Sequence, residues 1–343
     1  MNKADSERIA GAFQQKGYQP ARSVEEAQLV VINTCSVRQS AEDRVRGLVK
    51  NLSQLSAKPK IILTGCMLRY TIYQLKRMLP QVDQFTPLKE LIKGASPLRG
   101  DSRHAWLPVM RGCDNFCTYC VVPFGRGRER SRPIEEVYCQ AKELVKRGYK
   151  EITLLGQNVN SYAKNSKFKV KDKKLKERIK QLRKEYQNNF ALLLALLNSI
   201  KGLEKIKFIT SNPHDMTDDI IKALKLSKID RYLHLPVQAG DDQILKRMNR
   251  KYTVQDYLQL IKKIRKEVPE IEIGTDIIVG FPGETKEQFL RTVDLCKKVN
   301  FKLAYISKYS PRPGTAAAEL KDDVPYQEKK RRWRILNELI NKS

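Results

Sequence analysis

Three cysteines lie close together in one stretch of the sequence, VMRGCDNFCTYCVVPFGRGRERSRP. They are Cys113, Cys117 and Cys120, separated by spacers of three and two residues. A short loop of this kind lets three thiolates converge on neighbouring irons of a cubane cluster, whereas a zinc site normally adds a fourth Cys or His at similar spacing. The spacing therefore indicates an iron-sulfur cluster that leaves one iron for a small-molecule ligand.

A second pair of cysteines follows two predicted strands. The runs AQLVVINTC and KIILTGC are continuously apolar, as in strands that are buried on both faces of a parallel sheet, and they end at Cys35 and Cys66. A helical pattern lies between them, so the three elements predict a right-handed βαβ unit. Both cysteines are then expected at the carboxyl edge of one sheet, although two unrelated cysteines at strand ends remain the alternative.

A larger alternation of strands and helices follows a linker-like stretch at residues 87–103. The predicted strands are residues 106–110, 151–156, 205–211, 232–238, 272–280 and 303–309. Six successive βα units indicate an open or partial barrel, whose sites lie at the carboxyl ends of the strands. The sequence thus predicts an α/β protein with an amino-terminal domain at residues 1–95 and a barrel at residues 104–335.

The charge of the chain points to a polyanionic partner. The 343 residues carry 66 Lys and Arg against 38 Asp and Glu, a net charge of +28, and no apolar run reaches the length of a membrane span. Nucleic acid is the expected partner, and a lysine-rich surface without a partner is the alternative. A basic insertion at residues 164–187, or 163–189 at its widest, is either a solvated segment or an arm that contacts RNA.

The remaining cysteines favour an intracellular protein. Seven cysteines is an odd number and no signal peptide is recognisable, so a disulfide framework is not expected and a reducing cytosol is. Cys139 and Cys296 lie in helical patterns, where a buried small apolar residue is the ordinary interpretation.

Longer motifs surround these cysteines. They are RGCDNFCTYCVVPFGRGRERSRP, LLGQNVNSY, FITSNPHDM, LHLPVQAGDDQILKRMNRKYT and TDIIVGFPGET. Together they resemble the radical S-adenosylmethionine (SAM) methylthiotransferases, and among these the MiaB type, over nearly the whole chain. The resemblance implies a flavodoxin-like βαβ domain with its first strand missing, followed by a partial (βα)6 radical SAM barrel.

The resemblance also implies two [4Fe-4S] clusters. Cys113, Cys117 and Cys120 would hold the cluster whose open iron binds the amino and carboxylate groups of SAM, and Cys35 and Cys66 would be ligands of an auxiliary cluster. One SAM methylates a sulfur of the auxiliary cluster, and another yields the 5′-deoxyadenosyl radical that removes hydrogen from C2 of an adenine. The expected product carries a methylthio group at C2 of N6-isopentenyladenosine at tRNA position 37.

Further residues and partners follow from the resemblance. The anticodon loop of tRNA, an electron donor such as flavodoxin or ferredoxin, and a sulfur or cluster donor are the expected partners of a cytoplasmic monomer. Arg126, Arg128, Arg130 and Arg132 could contact phosphate or the SAM carboxylate, since a guanidinium is bidentate, but surface solvation is the alternative. Polar groups at strand ends also simply cap loops. The residues expected near SAM are Tyr119, Gly156, Gln157, Asn158, Ser211, Gln238, Ile278 and Gly280.

The ends of the chain differ from the resembled family. The family has a third auxiliary-cluster cysteine in a Gly-Cys-Gln triplet directly before Met-Asn, and this chain begins with MNKADSERIA. The third ligand and a carboxyl-terminal TRAM domain are therefore expected to be missing, from a misassigned start codon or a shortened sequence. The basic insertion and the motif KKRRWR could compensate for weaker tRNA binding.

Four alternatives stay open at this point. Two are sister methylthiotransferases, acting on threonylcarbamoyladenosine at the same tRNA position or on an aspartate of a ribosomal protein. A third is a truncated, inactive form of the enzyme. The fourth belongs to another class, a non-catalytic RNA-binding protein with a structural zinc.

Overall fold

The chain divides into two units. The computed structural model describes residues 1–164 and 166–342, so Asn165 of the basic insertion lies outside the described residues. Unit 1 comprises Met1–Ser102 together with Val121–Arg128, and unit 2 comprises Arg103–Cys120 together with Glu129–Ser343. Among the described helices, none combines the length and the apolar character needed to cross a membrane.

Unit 1 is built around a small parallel sheet. Strands β1 and β2 pair in parallel from Leu29 with Lys60 to Thr34 with Gly65, and β3 pairs in parallel with the other side of β2. The sheet confirms the predicted βαβ unit and adds β3, which was not predicted. The elements are α1 (Asn2–Gln15), β1 (Leu29–Thr34), α2 (Gln39–Ser53), β2 (Lys60–Gly65), α3 (Ile72–Met78), β3 (Gln84–Phe85), α4 (Leu88–Leu91) and α5 (Val122–Arg126).

Helices cover both faces of this sheet. Ile61 and Leu63 of β2 face a core that includes Leu52 of α2, while Ile62 packs with Ile9 of α1 on the opposite face. Successive side chains of a strand point to opposite faces, so a strand covered on both sides needs the unbroken apolar run seen in the sequence. The layered packing holds the carboxyl ends of β1 and β2 in register.

Unit 2 contains the six predicted strands of the barrel. Its elements are β4 (His104–Pro108), β5 (Met110–Arg111), β6 (Arg130–Ser131), α6 (Ile134–Lys146), β7 (Glu151–Leu155), α7 (Lys173–Leu182), α8 (Asn189–Asn198), β8 (Lys205–Phe208), α9 (Asp218–Ala223), β9 (Tyr232–His234), α10 (Asp242–Arg247), α11 (Val254–Glu267), β10 (Glu272–Val279), α12 (Lys286–Val299), β11 (Leu303–Lys308) and α13 (Tyr326–Asn341).

The barrel strands form two parallel sheets that share one core. The strand orders are β4-β7-β8 and β11-β10-β9, and an isolated parallel bridge joins Ile206 of β8 to Ile229, just before β9. Buried side chains from both sheets, among them Leu107, Leu154, Ile206 and Ile277, belong to a single apolar cluster. The partial barrel predicted from the six βα units is therefore confirmed.

The first predicted barrel strand begins and ends two residues earlier than expected. Residues 106–110 were predicted as one strand, but β4 ends at Pro108, and Met110 instead pairs antiparallel with Ser131 in the small β5-β6 ladder. Proline has no amide hydrogen to donate to a ladder, which favours a strand end at this position. The change of partner directs the chain into the loop that carries the three cysteines.

Candidate functional site

The three-cysteine loop follows β5 at the carboxyl edge of the barrel. Gly112 and Phe116 have positive φ angles of 78° and 46°, which let the backbone turn sharply between the cysteines. The loop is held from outside by Thr118 Oγ1, which donates to the carbonyl of Arg247 at 2.8 Å, and by Asn249 Nδ2, which donates to the carbonyl of Phe116 at 3.0 Å. The loop is thus shaped by contacts that do not involve its thiols.

Two side chains donate towards the sulfurs of this loop. Asn115 Nδ2 lies 3.4 Å from the sulfur of Cys113, and Arg250 Nη1 lies 3.5 Å from the sulfur of Cys117. Arg250 is itself fixed, because its Nε donates to Tyr252 Oη at 2.8 Å and its Nη2 to the carbonyl of Pro236 at 3.1 Å. Donors of this kind stabilise metal-bound thiolates, which carry negative charge.

The three cysteines of the loop are free thiols. All three are half-buried and unbonded to each other. Burial raises the pKa of Cys113 to about 11, so its proton must leave when a metal binds. In a [4Fe-4S] cluster each thiolate binds a different iron, so three thiols on one short loop are the donors that such a cluster requires.

The predicted residues at the end of β7 lie beside the loop. Gln157 Oε1 accepts a hydrogen bond from the backbone N–H of Gly112 at 2.6 Å, directly before Cys113. A side chain at Gly156 would bring its Cβ to 2.4 Å from Met110 Cγ, so the Met110 side chain would have to move to accommodate it. The structure therefore brings this part of the predicted site together with the cysteine loop.

Asn158 offers an unused acceptor at the same edge. Its Nδ2 donates to Asp215 at 2.8 Å, while its Oδ1 is buried and has no partner among the described side chains and backbone groups. A buried acceptor without a donor is unfavourable unless a ligand supplies one. An ammonium group such as that of SAM has the required chemistry, so this residue fits the cofactor implied by the sequence.

The later strand ends hold the other predicted residues. Ser211 Oγ donates to the carbonyl of His234 at 2.6 Å, which is a structural contact between neighbouring strand ends. Gln238 has φ of 73°, and its backbone N–H donates to the backbone carbonyl of Asp276 at 2.9 Å. Tyr119 and Ile278 are partly buried and pack on the same apolar cluster.

Gly280 ends the last of these predicted segments. Its φ is 69°, and its N–H donates to Glu284 at 2.6 Å. A Cβ at this position would approach Lys329 Cγ to 2.3 Å. Glycine is therefore required here by the backbone angle and by packing against α13.

Cys35 and Cys66 of unit 1 lie at the carboxyl ends of neighbouring parallel strands, as the sequence pattern predicts. Thr34 and Gly65 are paired across the parallel ladder, and Cys35 and Cys66 follow them directly. Cys66 is buried and Cys35 is half-buried, and neither forms a disulfide. The two thiols thus emerge at one sheet edge, which makes them suitable ligands for a shared metal group.

Arg126 occupies a different place from the one expected. It is only 8% exposed, its Nε donates to the sulfur of Cys66 at 3.2 Å, its Nη1 to Asp5 at 2.5 Å, and its Nη2 to Asn2 Oδ1 at 2.6 Å. The predicted contact with phosphate or substrate is therefore wrong for this residue, because its donors face partners inside unit 1. Its guanidinium instead contacts Cys66 and the first turn of α1.

The other arginines of the same motif differ among themselves. Arg128 and Arg130 are exposed, and their predicted substrate contact stays a prediction. Arg132 is half-buried and donates to the carbonyl of Pro108 at 2.7 Å and to Gln140 at 2.8 Å, so it stabilises the start of α6.

One further prediction about a side chain is wrong: Cys139 was expected in the core and is exposed, whereas Cys296 is buried as predicted. The motif KKRRWR is divided. Lys329 and Arg332 are buried and pair with Asp322 at 2.5 Å and Glu284 at 2.7 Å, so neither is available to RNA. Lys330, Arg331 and Arg334 are exposed, and an RNA contact of this motif stays a prediction.

The sequence interpretation missed two polar residues of the edge. Arg250 stands in the motif LHLPVQAGDDQILKRMNRKYT, but nothing local marks it as a partner of Cys117. Glu129 accepts from Ser161 Oγ at 2.7 Å, and burial raises the pKa of its carboxyl, partly offset by that hydrogen bond. Nothing in the sequence around Glu129 indicates that its carboxylate belongs to this edge.

Two family models match the chain. The Radical SAM superfamily matches residues 107–296, and the uncharacterized protein family UPF0004 matches residues 1–86. The first match runs from the end of β4 into α12, so it includes the three-cysteine loop and strands β7 to β10 but not β11. The second covers the cysteine pair of unit 1.

Curated relatives align with the whole chain. A tRNA-2-methylthio-N(6)-dimethylallyladenosine synthase of Thermoanaerobacter sp. (strain X514) is 42% identical over 375 residues, covering 100% of this chain and 76% of the relative. A protein of the same name from Clostridium tetani is 40% identical over 376 residues, covering 100% of this chain and 79% of the relative.

Solved structures share the fold at low identity. The radical S-adenosylmethionine methyltransferase TsrM from Kitasatospora setae gives a TM-score of 0.56 at 13% identity, covering 90% of this chain and 66% of that one. The cobalamin-dependent S-adenosylmethionine radical enzyme OxsB gives 0.54 at 10% identity, covering 98% of this chain and 53% of that one.

Proposed function

The chain belongs to the tRNA-2-methylthio-N(6)-dimethylallyladenosine synthase family within the Radical SAM superfamily, and we propose that it adds a methylthio group to C2 of N6-isopentenyladenosine at tRNA position 37. The net charge of +28 suits a partner rich in phosphate. The anticodon loop presents both phosphates and unstacked bases, which proteins read most readily in RNA.

The three-cysteine loop of unit 2 carries this proposal. Cys113, Cys117 and Cys120 are three half-buried thiols on a preformed loop, with Arg250 donating towards one sulfur. They would hold the [4Fe-4S] cluster that binds SAM, and Cys35 and Cys66 would hold the auxiliary cluster. When bound, these groups supply the one-electron cleavage of SAM and the sulfur that is transferred.

Residues at the barrel edge would orient the cofactor. The free Oδ1 of Asn158 would accept a hydrogen bond from the amino group of SAM. Tyr119 and Ile278 would provide apolar contacts for its adenine. Gln157, through Gly112, fixes the start of the cysteine loop, so it would position the cluster without touching SAM.

Arg126 would act on the auxiliary cluster. Asp5 and Asn2 hold its guanidinium so that Nε points at the sulfur of Cys66. A fixed N–H donor beside a metal-bound thiolate stabilises that thiolate through a hydrogen bond. The residue is therefore a positioning residue for Cys66.

The domain roles follow the same division. Residues 1–95 would form the methylthiotransferase domain and residues 104–335 the radical SAM domain. A flavodoxin or ferredoxin would supply electrons and a separate donor would restore sulfur, in the cytoplasm and with the chain as a monomer. The family membership supports this setting, because tRNA modification takes place where tRNA is used.

The proposal is tested with three cysteine variants in anaerobically reconstituted protein. Cys117→Ala should lose about four irons, the content of one [4Fe-4S] cluster, and should form no 5′-deoxyadenosine from SAM. Cys35→Ala should still cleave SAM but should form no methylthio nucleoside. The exposed Cys139→Ala should match the wild type in both assays.

Nucleoside mass spectrometry decides among the alternatives. The expected product is the 2-methylthio derivative of N6-isopentenyladenosine. A methylthio derivative of threonylcarbamoyladenosine, or of a ribosomal-protein aspartate, would assign the chain to a sister enzyme. Bound zinc with no iron after anaerobic preparation would contradict the proposal altogether.

A further inference from the structure

The basic insertion, residues 164–187, is anchored to unit 2. Leu175 and Ile179 of α7 and the following Tyr186 are buried in the main apolar cluster. The guanidinium of Arg183 lies over the ring of Phe168, 5.5 Å from its centroid. Burial of several apolar side chains fixes this segment, so the helix presents its outer face in a constant orientation.

The insertion starts and turns at the carboxyl edge of the barrel. Lys164 Nζ pairs with Asp215 at 2.8 Å, beside the end of β7. The backbone N–H groups of Lys171 and Asp172 donate to the Glu135 carboxylate at 3.0 and 2.9 Å. Glu135 lies in the first turn of α6, and the helices of a βα barrel begin at the edge where the strands end. The insertion therefore shares its edge with the three-cysteine loop.

The outer face of the insertion carries positive charge without matching negative charge. Every Lys and Arg from Lys167 to Lys184 is exposed except Arg183, which is half-buried. None of these exposed cations pairs with an acidic side chain in the described part of the chain. The two acids of this stretch are Asp172, whose carboxylate caps α7 at the N–H of Leu175, and Glu177.

A shallow groove runs along this face of α7. Its volume is about 580 Å³, and it is lined by Lys173, Lys174, Glu177, Arg178, Gln181 and Leu182. Like charges held close together on a helix repel each other, which destabilises the helix unless a ligand neutralises them. A phosphate backbone is a ligand of the required charge, and the 10 residues of α7 give the face a length of about 15 Å.

We propose that the outer face of α7 binds the phosphate backbone of the tRNA whose anticodon loop enters the barrel edge. The identity of the RNA rests on the proposed function, whereas the binding face rests on the anchoring and the charge of the insertion. Contacts of this kind add affinity and orientation without reading sequence, because lysine and arginine bind phosphates of any nucleotide.

The test compares binding of an anticodon stem-loop RNA that carries N6-isopentenyladenosine at position 37. The full-length triple variant K173Q/K174Q/R178Q removes three cations of the groove and leaves Leu175 and Ile179 in place. Fluorescence anisotropy over a range of salt concentrations should show the slope of log affinity against log salt reduced by about 2. Affinity at 0.1 M salt should fall by about tenfold to a hundredfold.

The matched control removes the same charge at the opposite end of the barrel. K266Q/K297Q/K298Q changes exposed lysines in the last turns of α11 and α12. This variant should keep the slope and affinity of the wild type within a factor of about three. Equal losses in the two triple variants would overturn the proposal, because total charge would then explain the binding.

Product formation separates this proposal from the proposed function. At saturating RNA the K173Q/K174Q/R178Q variant should form methylthio product at the wild-type rate, since only RNA binding has changed. If the wild type forms no product, but the triple variant binds the RNA more weakly than the wild type does, the proposed function is rejected and the RNA-binding face is retained. Unchanged RNA affinity, with lost binding to phosphatidylserine vesicles, would reject the RNA face in favour of a membrane contact.

Discussion

Two arginines each donate to a cysteine sulfur, one in each unit, and their surroundings differ. Arg126 reaches Cys66 while its other donors are held by Asp5 and Asn2. Arg250 reaches Cys117 while its other donors are held by a tyrosine hydroxyl and a backbone carbonyl, with no carboxylate pair among the described residues.

The difference concerns charge at the thiol. The charge of Arg126 is already balanced by Asp5, so this contact belongs to the fold whether or not Cys66 holds a metal. The charge of Arg250 has only neutral partners besides Cys117, so a thiolate is the anion that completes its environment. In unit 1, the arginine beside the cysteine is already paired with a carboxylate. In unit 2, the arginine beside the cysteine has neutral partners, so its charge can stabilise a cluster-bound thiolate.

Removing Arg126, which is paired with Asp5, should have the larger effect on stability. Arg126→Leu leaves the Asp5 carboxylate buried without its partner, and the side chains of the pair are only 6% and 7% exposed. Breaking such a pair from one side costs about 3–5 kcal/mol. Hydrogen exchange of the β1 and β2 amides should report this loss in unit 1.

The double variant Asp5→Leu with Arg126→Leu is the control. It removes both charges, so it should recover most of the lost stability. A double variant as unstable as the single one would show that packing of the arginine stem, and not the charge pair, holds this site together.

Removing Arg250 should cost less. Arg250→Leu leaves no buried carboxylate behind, and the carbonyl of Pro236 still accepts from Tyr252 Oη at 3.2 Å. The expected loss is about 1–3 kcal/mol, the range for one unsatisfied buried polar group. Hydrogen exchange of the β10 amides would measure it.

The metal content gives the second readout for Arg250. Reconstituted Arg250→Leu should retain less iron in the cluster of unit 2 than Arg250→Lys, which keeps the charge but not the forked geometry. A leucine variant that is less stable than Arg126→Leu, or that binds iron as well as the wild type, would remove the distinction between the two units.

The sheets and cysteine edges were predictable because their signals are local. Continuous apolar runs mark β1 and β2, and the register of a parallel pair then places Cys35 and Cys66 together. The role of Arg126 was not predictable, since its partner Asp5 lies 121 residues away in sequence. Its motif places Arg126 and the exposed Arg128 two residues apart with no difference in type.

Helical periodicity accounts for the exposed Cys139 and for the two buried cations of KKRRWR. In α6 the buried residues are Ile134, Val137, Ala141 and Leu144, so Cys139 falls on the opposite face of the helix. In α13 the buried positions Leu336 and Ile340 extend back at helical spacing to Arg332 and Lys329. The inward face of a helix is set by spacing, even where the residue is a cation.

Helix α2 shows a smaller local miss. The sequence suggests Ser40 as its cap, but the helix begins at Gln39, so Ser40 lies inside the first turn and the residue before the helix is Arg38. Helix ends depend on the chain before them as much as on capping residues.

A carboxylate held by two arginines gives the scale for an ion pair that is partly in water. Glu328 in the first turn of α13 accepts from Arg331 at 2.7 and 2.8 Å and from Arg332 at 2.8 Å, and its side chain is 27% exposed. Hydrogen bonds from Arg331, and then from Arg332, lower the pKa of Glu328 to about 2. Because solvent screens the pair, Glu328→Gln should lose only about 0.5–1 kcal/mol at pH 7.

The pH dependence of that loss has a definite sign. The folded pKa of Glu328 lies below its ordinary value of 4.5, so its contribution is complete above pH 4.5 and disappears as the pH falls towards 2. Urea unfolding at pH 7, 5 and 3 should show the same wild-type advantage over Glu328→Gln at the first two values and a smaller one at the third. Glu338→Gln, whose partner Lys342 is 3.9 Å away and exposed, should show almost no loss at any pH. An advantage that persists unchanged at pH 3 would mean that packing of the Glu328 side chain, rather than its charge, stabilises the helix start.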